Sequence, residues 1–381
     1  MGNFLLNSFR PVDRGYIVNW GAQQDIWSHA ISHILQVDPK SCVLLVTEPM
    51  NNFSSLRESM DQVVLDDLGF RGYYCCPAPC LAFYHARHLL TSGAIPCTPT
   101  QRTAAQAGCG LILDCGFSFC HAAPFFDGRL MEDNARRVNI GGRALSNHFK
   151  ELISFRSINL MEEGYLVEQI MTKICFFSQD FQGDLQKAKA VGSSPFRVSW
   201  VLPDGLGSNN IGYQFGGPDD PRVAQQAQQA SPAEEMKNNT VGQNRPDPTA
   251  ILNVNNERFS VPEVVFSPAD IGMEQAGISE AVMQSIEACP GSIRGLLWSN
   301  IVVVGGLAKY PGIQARLEKE LRSLAPDDCE VRVFMPEDPV NFAWQGGSLM
   351  VNQGDFARRM ISKASIPPIK EGSNRVREFD F

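Results

Sequence analysis

Two short apolar runs, each breaking into a glycine turn, constrain this chain more than any other feature. One is Gly110-Leu-Ile-Leu-Asp114-Cys115-Gly116-Phe117-Ser118, the other Ile301-Val-Val-Val304-Gly305-Gly306-Leu307. The wholly apolar, β-branched run of the second reads as a strand covered on both faces. A strand of that kind needs helices on either side of its sheet, which sets an α/β layered architecture. The first turn can aim backbone N–H groups at an anion, and an Asp placed there can hold a metal-bound water. Glycine in the second permits positive φ and lets a ligand approach the main chain closely. Taken singly, each turn also has a plain reading, a hairpin turn for the first and a strand-end turn for the second.

The remaining pattern alternates in the same way. Cys42–Val46 reads as a short strand stopped by Thr47-Glu48-Pro49. A helix follows, with Ser55 and Glu58 spaced as a capping box, Leu56, Met60, Val63, Val64 and Leu68 at helical spacing, and Gly69 at its end. Cys80–Leu90 reads as a second helix and Gly93–Gln106 as a Pro/Thr/Ala-rich loop. Leu111–Leu113 is a strand, with Phe117–Ala123 and Phe125–Leu130 as meander partners turned at Asp127-Gly128. Leu145, Phe149, Leu152 and Ile153 mark a third helix, and Val167, Ile170, Met171 and Ile174 a fourth. After Ile301–Val304, a helix carries Ile313, Leu317, Leu321 and Leu324, and Val331–Met335 is another strand. Residues from 205 to about 250 hold almost no aliphatic side chain larger than Ala. They cannot bury enough surface to offset their ordering entropy, so a disordered insertion is expected there, or a partner-binding arm, with order returning at Asn256. The tail from Ser362 is polar and mildly basic.

Composition narrows the function. The chain has 381 residues, enough for more than one core. Its 44% hydrophobic content is that of a globular protein, and its net charge of −8 argues against binding nucleic acid through the whole surface. No apolar run approaches the length of a membrane span, and the start lacks the basic flank and apolar core of a signal peptide. Leu6 sits where myristoylation wants Ser or Thr. The 11 cysteines show no framework and are expected as reduced thiols in the cytosol or nucleus.

The two glycine turns, in this order and with the words around them, resemble the actin family over almost the whole chain. The carrying segments are Gly15-Tyr-Ile-Val-Asn-Trp20, Val43-Leu-Leu-Val-Thr-Glu48-Pro, Leu113-Asp-Cys-Gly116 and Arg137-Val-Asn-Ile-Gly-Gly-Arg143. Asn256-Glu-Arg-Phe259, Pro262-Glu263, Gly272-Met-Glu-Gln-Ala-Gly277, Val304-Gly-Gly306, Tyr310-Pro-Gly312 and Ala343-Trp344-Gln-Gly-Gly347 complete the set. Phe177-Ser-Gln-Asp-Phe181, Arg258-Phe-Ser-Val-Pro-Glu263 and the ending Glu378-Phe-Asp-Phe381 are similar to the nuclear actin-related branch of that family rather than to actin itself.

The resemblance implies an actin-like two-lobed α/β fold: duplicated ribonuclease H-like domains, shared with hexokinase and the heat-shock chaperones, around a nucleotide cleft. It implies a partial small lobe over 1–104 and an inner part of the large lobe over 105–140. It also implies an outer part over 141–273 that contains the insertion, an inner part again over 274–341, and a return to the small lobe over 342–381. For the nuclear branch it implies a subunit of a Swr-type chromatin remodeller that exchanges a histone variant into nucleosomes. The partners expected are then remodeller subunits and histones, with no sequence-specific DNA contact and no membrane. The expected location is the nucleus, with the cytoplasm as a second site.

Departures from the family's pattern bear on catalysis. Actin-fold ATPases clamp phosphate between two hairpins, the first with the pattern Asp-Asn/Asn-Gly-Ser-Gly and a Lys. That pattern is missing, and the resemblance begins around Arg10, so a chain truncated at its N-terminus is expected. In the second hairpin Asp114 and Gly116 match, but Phe117 stands where the family has a metal-proximal Asp. The water-orienting Gln falls near Ala78. His121 matches the family's histidine near that water, although a single His in a strand is more often a packed residue. The Lys-Glu pair beside the base falls on Met171-Thr172, and the last base-side lysine near Val340. No ATPase is expected. ATP or ADP is expected at most as a structural ligand of a full-length form, held by Asp114, Gly116, Gly305 and Gly306.

Three other readings remain. An active actin-like ATPase or cytoskeletal filament protein is opposed by Phe117 and Ala78. A sugar-kinase or chaperone relative is opposed by the actin-specific Asn256–Phe259 and Tyr310–Gly312 words. A zinc site on Cys75, Cys76, Cys80, His85 and His88 is opposed by helical phase, which separates the histidines from some of the thiols.

Overall fold

The computed structural model describes residues 10–190, 194–203, 211–218, 220, 251–353, 356 and 360–362. Thirteen strands are described: β1 (Val12–Asp13), β2 (Tyr16–Ile17), β3 (Val43–Glu48), β4 (Gly72–Pro77), β5 (Gly110–Cys115), β6 (Cys120–Phe126), β7 (Arg129–Leu130) and β8 (Arg136–Val138), then β9 (Val198–Val201), β10 (Tyr213–Gln214), β11 (Ile251–Val254), β12 (Ile301–Val304) and β13 (Val333–Phe334). The α-helices are α1 (Trp20–His29), α2 (Ser54–Asp61), α3 (Ala78–Ser92), α4 (Pro99–Gln106), α5 (Gly142–Arg156) and α6 (Gly164–Ile174), then α7 (Phe181–Ala188), α8 (Glu257–Glu263), α9 (Ile278–Ala288), α10 (Gly291–Trp298), α11 (Ile313–Leu324) and α12 (Phe342–Val351).

The chain divides into two compact units, the smaller taking the described residues of 142–274 and 310–316 and the larger the remainder. The larger unit is organised on a mixed sheet in the order β13-β12-β5-β6-β7, with β8 paired to β6. β12 runs parallel to both neighbours, Ile301 opposite Leu111 on one side and Val333 on the other. All four of its residues are buried, as its apolar composition requires. β6 folds back antiparallel on β5, placing Cys120 opposite Cys115 and His121 opposite Asp114. A second, two-stranded sheet pairs β3 and β4 in parallel. Parallel strands need a crossover, and α2 supplies it. Helix α12 lies against α3 so closely that a Cβ on Gly346 would stand 2.0 Å from the Leu81 carbonyl oxygen. Under them Phe83 stacks on Phe125 at 4.3 Å between ring centres.

The smaller unit holds the antiparallel sheet β10-β9-β11 with α5 to α8. The family words fall on its joints. Arg258 donates to the Ile174 carbonyl at 2.8 Å and the Phe196 carbonyl at 2.9 Å, while Phe259 is wholly buried. The Phe177 N–H donates to the Pro311 carbonyl at 2.8 Å. Arg316 grips the Glu263 carboxylate through both guanidinium nitrogens, at 2.6 and 3.2 Å, and its Nη1 also donates to the Ser178 carbonyl at 2.6 Å.

Several expectations need correction. Ser55 and Glu58 form no capping box: the helix begins at Ser54, Phe53 is its N-cap, and no side chain caps it. The box lies instead at Thr98 and Gln101, with Pro99 at the first helical position, and it starts α4 where a loop was expected. β6 begins at Cys120, not Phe117, because Phe117 and Ser118 form the turn. Only Val333 and Phe334 of the 331–335 run pair with a neighbour. Within the expected insertion, 204–210, 219 and 221–250 lie outside the described residues. Tyr213–Gln214, however, pairs with β9, and Asp220 is buried and accepts from the Gly216 N–H at 2.8 Å. Ahead of Asn256, Ile251–Val254 already pairs with β9, because Ile251-Leu-Asn-Val254 is an apolar edge that β9 can pair.

Candidate functional site

Asp114 is the penultimate residue of β5, and Val304, the last residue of β12, lies opposite it. The two glycine turns are therefore brought side by side by strand register. Gly305 has φ +97, and a Cβ there would stand 2.4 Å from the Cys115 carbonyl oxygen and 2.9 Å from Asp114 Oδ1. Only glycine meets both conditions. A Cβ on Gly306 would meet nothing within 4 Å, so that residue faces open space. Gly116 donates its N–H to the Phe119 carbonyl at 3.0 Å, which closes the turn carrying Phe117.

Asp114, Gly116, Phe117 and His121 line a cavity of about 500 Å³. Ala78 and Pro79, at the start of α3, and Arg137 of β8 also line it. Tyr16 of β2, Trp20 and Trp27 of α1, and Glu48 at the end of β3 line it as well. Burial pushes the Asp114 carboxyl up to about 6. The same burial, with the Arg137 guanidinium nearby, pulls the His121 imidazole down to about 4, so it is neutral at pH 7. Glu48 is buried; its Oε2 accepts from Arg57 Nε at 3.0 Å and Asn52 Nδ2 at 2.8 Å, and its Oε1 has no partner.

Phe117 is 38% exposed, and the Arg10 guanidinium stands 4.2 Å from its ring centre. An aromatic ring under a cation offers no oxygen to a metal-bound water. Ala78 offers no amide to orient a nucleophile. Two carboxylates, Asp114 and Glu48, line the cavity, Phe117 and Ala78 bring it neither a carboxylate nor an amide, and Gly305 and Gly306 are not in its lining. Of the base-side positions, Met171 is buried within α6 and Val340 is exposed. Cys75, Cys76 and Cys80 are buried in the core, and among the described residues no three His, Cys, Asp or Glu side chains are placed to hold a metal ion. No described helix is long and apolar enough to cross a membrane. Sequence reasoning missed Trp20, Trp27 and Arg137 as cavity residues; Glu48 and Arg137 lay within family words, but nothing in their spacing pointed to one cavity.

The family model named Actin matches residues 4–366, a few residues further upstream than the motifs alone reach. Actin-related protein 6 of rice, Oryza sativa subsp. indica, is 37% identical over 389 residues, covering 98% of this chain and 85% of that protein. Actin-related protein 6 of Arabidopsis thaliana is 36% identical over 381 residues, with 98% and 85% covered. Actin-related protein 6 of Drosophila melanogaster is 35% identical over 354 residues, with 90% and 79% covered. With paired glycine turns on a mixed α/β sheet and likeness along nearly its full length, the chain belongs to the actin family.

Proposed function

We propose that this actin-related protein is a non-catalytic structural subunit of a Swr-type chromatin-remodelling complex in the nucleus, holding other subunits and histones. The observation that carries the non-catalytic part is Phe117, set under Arg10 at the turn where a metal carboxylate would be needed. Ala78 supports it from the same cavity. Losing one positioned polar group typically costs about 10²–10³ in rate, so two such losses leave little turnover. The complex assignment is supported by likeness to relatives named actin-related protein 6. Asp114, Gly116, Gly305 and Gly306 are the residues that would hold ATP or ADP as a structural ligand.

Single-turnover hydrolysis with labelled ATP tests the first part. We expect phosphate release no faster than in buffer; release at an actin-like rate would overturn it. Affinity purification from nuclear extract tests the second, with remodeller subunits expected and recovery of cytoskeletal proteins alone counting against it.

A further inference from the structure

We propose that Cys115 and Cys120 form a redox-responsive dithiol, which a low-molecular-weight disulfide such as glutathione disulfide converts into a cross-strand disulfide at the base of the Gly116–Phe119 turn. The two residues are direct partners in the β5–β6 register. The 3.0 Å bond from the Gly116 N–H to the Phe119 carbonyl, one step beyond them, places the pair at a non-hydrogen-bonded site of the ladder. Cα atoms at such sites lie about 4.5 Å apart, inside the roughly 4.4–6.8 Å that a disulfide spans. The bond can therefore form without moving either strand. Both side chains leave the sheet on the face opposite Asp114 and His121.

The resting state is the dithiol. Both cysteines are wholly buried. The Cys120 thiol and burial together hold the Cys115 thiol well above its usual range. Oxidation therefore waits on a transient opening of the turn and is slow. Cys75 and Cys76 lack this geometry, since they are consecutive in β4 and point to opposite faces.

The chemistry balances. One cysteine loses its proton to solvent, and its thiolate attacks a sulfur of glutathione disulfide, expelling one glutathione thiolate. The second cysteine, deprotonated in turn, attacks the protein sulfur of the mixed disulfide and expels the second. The protein loses two hydrogens and two electrons, and two glutathione thiols appear. The product links the strands behind Asp114 and locks the turn that presents Phe117 to the cavity.

Mapping the full chain tests this. The protein is held with excess glutathione disulfide, quenched in acid, alkylated in denaturant and cleaved with trypsin. The fragment 103–129 carries Cys109, Cys115 and Cys120. We expect it to take one alkyl group, on Cys109, with fragment ions placing the link between Cys115 and Cys120, and to take three after treatment with dithiothreitol. Amide exchange across Gly116–Phe119 should slow by about tenfold on oxidation. Three alkyl groups after oxidation, glutathione retained on Cys115 or Cys120, or a link to Cys109 would each overturn the proposal. Cys120→Ala should abolish the link, but the wild-type map decides the matter even if that variant does not fold.

Discussion

Asp114 and His121 face each other across β5 and β6 and respond to the same desolvation in opposite directions. Asp114, near 6 in the folded chain against about 4 unfolded, binds its proton more tightly when folded, so its contribution to stability falls as pH rises from about 4 to 6. His121, near 4 against about 6.5, binds its proton less tightly when folded, so its contribution rises between about pH 4 and 6.5. The two slopes oppose each other. Asp114→Asn should leave the rising slope exposed, with a gain of about 1–3 kcal/mol at pH 7 over the parent. His121→Gln should leave the falling one. Urea midpoints across this pH range check both, and identical profiles for all three proteins would refute the pairing. At this scale the sequence was legible where a residue type is forced, as at Gly305, whose left-handed backbone and close neighbours admit only glycine. Trp20, Trp27 and Arg137 were not, because helix phase and cross-strand distance bring them to the cavity and neither is written in local spacing.

Among elements, glycine separates tight junctions from open ones. Gly305→Ala would press a Cβ against the Cys115 carbonyl in a left-handed conformation, and we expect a loss of roughly 2–4 kcal/mol; Gly306→Ala, with nothing within 4 Å, should cost under about 1 kcal/mol. Thermal melts of the two variants read the contrast. The capping box at Thr98 gives a second check, since Thr98→Ala should cost about 1 kcal/mol by removing the acceptor for the Gln101 N–H. Breaking the Arg316–Glu263 pair with Arg316→Ala should cost about 3–5 kcal/mol, because it removes the guanidinium that both oxygens of a buried carboxylate accept from. Long periodic helices and the 301–304 strand were readable from sequence. The short helix α4 carried its start signal in Thr98-Pro99-Thr100-Gln101, but its Thr/Ala-rich composition suggested a loop. β10 was hidden because the whole 205–250 window was judged on aliphatic content, while Tyr213 and Gln214 pair through their backbones.

For the molecule as a whole, the net charge of −8 makes association with basic partners sensitive to salt. Affinity for histones or basic subunit segments should fall several-fold between roughly 0.05 and 0.3 M salt, as the screening length shortens; a flat salt profile in titrations would exclude charge as the driving term. The family words gave the fold well because many sit at structural joints of this chain, such as Arg258, Phe259 and Gly346. They said less about chemistry, which rests on a few positions free to change without harming those joints.

The parallel register of β5 and β12 also dictates an order of events at the ribosome. β5 can zip onto β6 as soon as both emerge, but its other edge is completed only by residues 301–304. At about 5–20 residues per second, translation leaves that edge bare for roughly 10–40 s. A nascent chain with an apolar edge exposed for so long is a client for a holding chaperone, and its yield in cells should depend on one.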